Sequence, residues 1–267
     1  MKEKKVAKKL GFALGAGGSR GVAHIGFLRA MEEEGIKPDF IAGTSMGSVV
    51  GACYAKGLTT ENMEKIVKKL KFSDIFDLSL NPVGNGALLR SQKMRKQLEK
   101  HLGTIKFSDL EIPFSCVATD MITGKSVLLN DKEDDVCTAV IASSSIPAIF
   151  KPIQKNGMLL VDGGVLCRVP VNAVREMGAQ IIVAVDVLGE IRKCDKKYNV
   201  FSVMTRLFEV CDCEMVKYKM QEAKPDLFIE PDLGDMSQYK FKDIEFAIQK
   251  GYETGKQYAK EIKELIK

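Results

Sequence analysis

The sequence predicts an α/β fold: a mainly parallel sheet with covering helices. Two observations carry this. Short apolar runs alternate with longer amphipathic ones along the chain, as strands joined by crossover helices require. Glycine-rich turns also fall where a strand should pass into a helix. The 267-residue chain is 45% hydrophobic and 28% charged, with 23 glycines. That is ordinary globular composition and excludes disordered, collagen-like and low-complexity classes. A chain of this length can bury a sizeable core.

Leu10–Leu14 reads as the first strand, followed by a glycine loop. A helix from about Val22 to Glu34 sets Val22, Ile25, Leu28 and Met31 on one face. Asp39–Ala42 reads as the next strand, and Met46–Lys56 as a helix with the small residues Gly47, Gly51 and Ala52. Glu61–Leu70 and Gln92–Leu102 have amphipathic helical spacing. Phe114–Thr119 and Lys125–Leu129 read as strands, and Val136–Ser143 as a helix that ends before Pro147. Met158–Val161 and Ile181–Val187 are short apolar strands, and Asp243–Ile266 is an amphipathic terminal helix. Two stretches resist the scheme. Phe72–Leu89 is apolar but broken by Asn81-Pro82 and Gly84-Asn85-Gly86, so it reads as an irregular loop, either packed in the core or serving as a lid or lipid contact. Gly189–Asn199 reads as an exposed polar loop. Phe201, Met204, Leu207, Phe208, Cys211 and Met215 recur at helical spacing and are expected in the core or on a dimer face. The expected organisation is one domain over residues 10–267 after a basic tail, residues 1–9.

Forty Lys and Arg against 35 Asp and Glu leave a net charge of +5. That excess allows attraction to anionic surfaces but is too thin for nucleic-acid binding, which needs a denser basic stripe. The basic tail Lys2–Lys9 is followed by no apolar secretory region. No run approaches the roughly 18 apolar residues of a membrane span. The cysteines number seven and lack a C-x-x-C. Cys211 and Cys213 stand too close for ordinary zinc spacing. Structural thiols, no metal, no cofactor and a reducing cytoplasm are expected, with room for peripheral contact at the inner membrane surface through the lysines.

Three motifs carry chemistry. Gly43-Thr44-Ser45-Met46-Gly47 is a G-x-S-x-G between a strand and a helix. In that context the serine occupies a tight turn with its hydroxyl exposed, although a serine there also serves as a helix cap. Gly15-Ala16-Gly17-Gly18-Ser19-Arg20-Gly21 stands at another strand-to-helix junction. A dinucleotide fingerprint would need glycine where Arg20 stands, and the P-loop lysine is absent. Two readings remain: an oxyanion hole of backbone N–H groups, or a tight turn. Arg20 then fixes the loop or attracts an anionic substrate. Met158–Gly164 is an apolar strand ending in Asp162-Gly163-Gly164, either a functional carboxylate or a turn.

A nucleophilic serine needs a proton acceptor. The chain has only two histidines, His24 and His101. His24 precedes Ser45, against the Ser…Asp…His chain order of α/β-hydrolases. His101 closes a polar helix. A desolvated carboxylate can replace histidine, because burial raises its pKa to a useful value. Asp162 is the best candidate. Asp120 and Asp186 also end strands but lack the double glycine.

Together these motifs resemble the patatin-like phospholipase family, whose members carry a G-G-x-R/K-G loop, a G-x-S-x-G elbow and a downstream D-G-G/A. Ala142–Phe150 is similar to the A-S-x-x-I-P-x-x-F segment that precedes that aspartate. The resemblance runs from about Leu10 to Val187. It implies a three-layer α/β/α sandwich and metal-free hydrolysis of lipid acyl esters, phospholipid or lysophospholipid. By the resemblance Ser45 is the nucleophile and Asp162 the base of a dyad. Gly17 and Gly18 line the oxyanion hole, Arg20 and Gly21 support that loop, Gly43 and Gly47 shape the elbow, and Gly163 and Gly164 follow the base. Cys167 and Arg168 stand where related sequences often show Asn before Pro. The alternatives are a small-ester or thioester hydrolase, and a catalytically silent module that binds lipid or nucleotide.

Overall fold

A computed structural model of the chain describes residues 7–75, 77, 78, 87–191 and 200–267. The strands are β1 (Leu10–Leu14), β2 (Phe40–Thr44), β3 (Asp77–Leu78), β4 (Ala87–Arg90), β5 (Phe114–Asp120), β6 (Lys125–Leu129), β7 (Ala148–Phe150), β8 (Ile153–Lys155), β9 (Met158–Asp162), β10 (Ile181–Val185) and β11 (Leu227–Ile229). The helices are α1 (Ala23–Glu33), α2 (Met46–Ala55), α3 (Thr60–Lys69), the single turn α4 (Phe72–Ile75), α5 (Gln92–Leu102), α6 (Val136–Ser143), α7 (Val171–Glu176), α8 (Val200–Ala223) and α9 (Ile244–Leu265). β1 and β10 are buried along their whole length. Their unbroken apolar character is what a parallel strand covered on both faces needs.

An eight-stranded mixed sheet runs β11–β10–β1–β2–β5–β9–β8, with β6 also paired to β5. β11, β10, β1, β2 and β5 are mutually parallel, and β6, β8 and β9 are antiparallel to their neighbours. The registers on β5 position the site. β2 pairs with β5 as far as Thr44 opposite Val117. β9 pairs with β5 from the opposite direction and ends with Asp162 opposite Ala118. β6 occupies β5 from Cys116 to Asp120, and a strand has only two edges. β2 and β9 therefore share the other edge, end to end, with their C-termini meeting.

One apolar core contains Phe12, Phe27, Leu28, Ile41 and Ile141 on the face covered by α1, α2, α6 and α9. A second contains Ala42, Val117, Val169, Val174 and Ile182 on the face covered by α7 and α8. The result is a three-layer α/β/α sandwich. α1 and α9 cross closely because Gly26 and Gly251 carry no side chain: a Cβ at either would strike the backbone of the other helix.

Two expectations need correction, and a third is narrowed. Phe72–Leu89 is not irregular throughout: α4 and β3 open it, and β4 closes it in a small three-stranded sheet, β3–β4–β7. Residues 76 and 79–86 lie outside the described residues. Residues 192–199 of the expected polar loop do so as well. Lys8 and Lys9 are not loose tail: the Lys8 N–H donates to Ile266 O, and Lys9 O accepts from Gln180 and Ile181. Of the two places expected for the stripe on α8, core or dimer face, the chain's own core is not one: Met204, Leu207, Phe208 and Cys211 are exposed and Met215 is half-buried. The side chain of Phe201 lies outside the described residues.

Candidate active site

Ser45 joins β2 to α2 with φ 52° and ψ −124°. This is a left-handed φ that a non-glycine residue adopts only under constraint. The constraints are visible. A Cβ at Gly43 would run into Gly47 and Ser48, and one at Gly47 would run into the carbonyls of Leu14 and Gly15. The turn therefore packs against itself and against the end of β1. Ser45 O accepts from the Ser48 N–H at 2.8 Å and from the Ser48 hydroxyl at 2.6 Å. The Ser45 N–H donates to Ser143 Oγ at 3.0 Å, and that hydroxyl donates to Val117 O at 2.7 Å. Thr44 Oγ1 donates to Cys167 O at 3.0 Å.

Because β2 and β9 meet end to end, Asp162 arrives beside Ser45. The Ser45 hydroxyl donates to Asp162 Oδ2 at 2.6 Å. Asp162 Oδ1 accepts from the Gly164 N–H at 2.7 Å. The Asp162 N–H donates to Ser145 O at 2.8 Å. Ser45 and Asp162 are each 5% exposed. Burial pushes the Asp162 carboxyl up to about 7, against the pull of the hydrogen bonds from Ser45 and Gly164.

The glycine loop lies against both. A Cβ at Gly21 would strike Met46, and one at Gly164 would touch Ala16. The loop is held by Ala16 N–H to Arg168 O at 2.9 Å, Ser19 N–H to Gln238 O at 3.0 Å and the Ser19 hydroxyl to Ser237 O at 2.7 Å. Gly18 has φ +52° and presses on Gln238 O, a place only glycine fills without strain. Arg20 is buried, donating to Val187 O at 2.8 Å and Met236 O at 3.3 Å. Its guanidinium thus holds the loop.

The competing bases are engaged elsewhere. His24 is fully buried, with Nε2 at 2.8 Å from Gly15 O. A carbonyl partner requires the proton on Nε2. Burial holds the imidazole down at about 4. His101 ends α5 and lines a surface hollow with α3 residues. Asp120 caps the β5–β6 turn, accepting from Ile122 N, Thr123 Oγ1 and Leu159 N. Asp186 forms a buried ion pair with Arg168, which also reaches Asp212 of α8 at 3.1 Å. Among the described residues no group of three or more His, Cys, Asp or Glu side chains is placed to hold a metal ion.

Sequence reasoning missed Ser143, the acceptor beneath the elbow, and the Arg168–Asp186–Asp212 cluster. Ser143 lies within Ala142–Phe150, so a signal was present. Arg168 was noted only as a departure from Asn. Its backbone carbonyl anchors the glycine loop, and its guanidinium ties that anchor to β10 and α8.

A strained serine between strand and helix, a buried carboxylate in contact with it and a glycine loop alongside define an α/β fold of the nucleophile-elbow class. The chain belongs to the patatin-like phospholipase family, whose model matches residues 12–175. An uncharacterised NTE family protein of Mycobacterium tuberculosis (strain H37Rv) is 35% identical over 183 residues, 68% of this chain and 49% of that protein. Lysophospholipase NTE1 of Candida albicans is 33% identical over 184 residues, 67% of this chain and 13% of that protein. The chain thus spans half or less of the length of these relatives. The crystal structure of VipD from Legionella pneumophila superposes with a TM-score of 0.60 at 13% identity, covering 96% of this chain and 67% of that one. At that identity the likeness speaks for the fold alone.

Proposed function

We propose that the protein is a serine acyl hydrolase that cleaves lipid acyl esters through a Ser45–Asp162 dyad. The observation that carries this is the 2.6 Å hydrogen bond from the Ser45 hydroxyl to a buried carboxylate raised to about 7. A general base works best with a pKa near the working pH. Family membership and the lysophospholipase relative support a lysophospholipid or phospholipid as the ester.

Asp162 Oδ2 takes the hydroxyl proton as Ser45 Oγ attacks the ester carbonyl carbon. Negative charge develops on the carbonyl oxygen. Among the described residues neither the Gly17 nor the Gly18 N–H donates to a backbone carbonyl. The reading assigns both to that oxygen, each such donor being worth about 2.7–4 kcal/mol of barrier. Collapse breaks the ester C–O bond, and Asp162 returns its proton to the departing alcohol. Water then attacks the acyl-serine with Asp162 again as base, releasing fatty acid and restoring Ser45.

A fluorophosphonate probe should label the wild type and leave Ser45→Ala unlabelled, and only the wild type should release fatty acid from lysophosphatidylcholine. Labelling that persists in Ser45→Ala overturns the assignment. Labelling of the wild type with short soluble esters cleaved and no lipid cleaved keeps the dyad and rejects the lipid substrate.

A further inference from the structure

Two apolar protrusions stand at the end of the sheet that carries Ser45. The first is the front half of α8, which connects the parallel strands β10 and β11. Its Asp212 is level with Asp186, the first residue after β10, because both bind Arg168. At about 1.5 Å per residue, the stretch Val200–Cys211 carries the helix roughly 18 Å past that level. Along it Val203, Met204, Leu207, Phe208 and Val210 are exposed, Met204 by 61% and Leu207 by 56%. The second is the β5–β6 turn. Ala118 pairs with Asp162, so at about 3.3 Å per residue the tip stands roughly 10 Å beyond the dyad. There Met121 is 55% exposed and Ile122 66%.

In strand order β10 and β5 lie on either side of β1 and β2, which carry the glycine loop and Ser45. α8 is also tied to that loop: Glu209 accepts from Gln238 Nε2 at 2.9 Å, and Gln238 O accepts from Ser19. Apolar side chains on two elements far apart in sequence thus stand at the end of the sheet that carries Ser45. Exposed apolar groups concentrated this way mark an interaction surface.

We propose that these protrusions dock the protein on an anionic lipid bilayer, with the end of the sheet that carries Ser45 facing the lipid. The substrate class rests on the proposed hydrolase reading, but the docking surface stands on its own observations. A projecting helix flank and a hairpin tip are convex, so they enter a deformable interface without needing a matching partner shape. Exposed lysines accompany the apolar groups, Lys125 beside the hairpin tip and Lys240 and Lys242 just after Tyr239, the latter two flanked by the exposed Asp235 and Asp243. The nearest carboxylate on α8, Glu209, is engaged by Gln238 and Tyr239. With a net charge of +5, this matches an apolar insertion backed by attraction to anionic headgroups.

The test is co-sedimentation with phosphatidylcholine vesicles with and without phosphatidylglycerol, alongside hydrolysis of a short soluble ester. The wild type should bind, more tightly with phosphatidylglycerol. Leu207→Glu/Phe208→Glu and, separately, Ile122→Glu should weaken binding by about tenfold or more while soluble-ester turnover is unchanged. Vesicle binding that survives both variants overturns the proposal. So does a wild type that cleaves soluble ester but never sediments with vesicles, or sedimentation velocity showing a dimer that the α8 variant dissociates. A wild type that binds vesicles through these residues yet cleaves no ester keeps the docking surface and rejects the hydrolase reading.

Discussion

Asp162→Asn separates the chemistry of the site from its stability. The amide keeps the size of the carboxylate and can accept from the Ser45 hydroxyl, but it cannot take the proton. Loss of a positioned general base costs about a hundredfold to ten-thousandfold in rate. The same substitution should stabilise the fold in a pH-dependent way. Burial raises Asp162 from 3.8 to about 7. Between those values the folded state binds more protons than the unfolded one, so the carboxyl's contribution to stability is greatest below about pH 4 and falls as pH rises through 7. Three units at about 1.36 kcal/mol each give an upper bound of about 4 kcal/mol. Urea unfolding of both proteins across about pH 4 to 8 measures this as a difference, which cancels groups they share. Asp162→Asn should gain on the wild type progressively as pH rises and level off above about 7. A flat difference across that range, or turnover retained by the variant, would refute the buried, raised base.

Three further outcomes follow from the same geometry. Ser143→Ala removes the acceptor beneath the Ser45 N–H and should lower kcat roughly tenfold to a hundredfold with little change in KM, read from steady-state hydrolysis of a soluble ester. Arg168→Ala leaves Asp186 and Asp212 buried without their cation and should cost about 3–5 kcal/mol in urea unfolding at neutral pH, with Arg168→Lys intermediate. His24 is held down from 6.5 to about 4 by burial: its stability contribution is present above 6.5 and lost as pH falls toward 4. His24→Gln should therefore flatten that acid limb by up to about 3 kcal/mol, measured by thermal melts across the range.

Most of the sheet and its covering helices were legible because their signals are local. Leu10–Leu14 is a continuous apolar run that ends at glycine, and Gln92–Leu102 and Val136–Ser143 carry helical spacing bounded by clear breakers. β7, β8 and β11 have three residues each, too few for any periodicity, and are strands only because a neighbour offers a free edge. α7 was missed for a related reason: six residues with apolar side chains at Val171, Ala173 and Val174 read equally as strand. Helical spacing in Phe201–Met215 identified α8, but the pattern is silent on whether an apolar stripe is covered. The candidate site was legible where short motifs bring residues together: Ser45, Asp162 and the glycine loop. Ser143 and Arg168 act through single hydrogen bonds to distant backbone, and no spacing rule encodes those.

In the proposed dyad, a base other than histidine has a topological reason. In a hydrolase with a Ser–His–Asp relay, the imidazole spans the gap between two side chains that separate loops deliver. Here β2 and β9 converge along one edge of β5, and Thr44 and Asp162 face adjacent residues, Val117 and Ala118. The carboxylate thus reaches the hydroxyl directly and a bridging ring would have no room. The cost falls on acid–base strength, since an exposed aspartate near 4 is too weak a base. Burial of Asp162 removes that defect by raising it to about 7. It follows that any change admitting water to Asp162, such as loss of the Thr44–Cys167 or Ala16–Arg168 hydrogen bonds, should shift the alkaline-rising limb of the rate profile to lower pH while reducing its height. A profile whose midpoint stays fixed as the rate falls would mean that the limb belongs to another group.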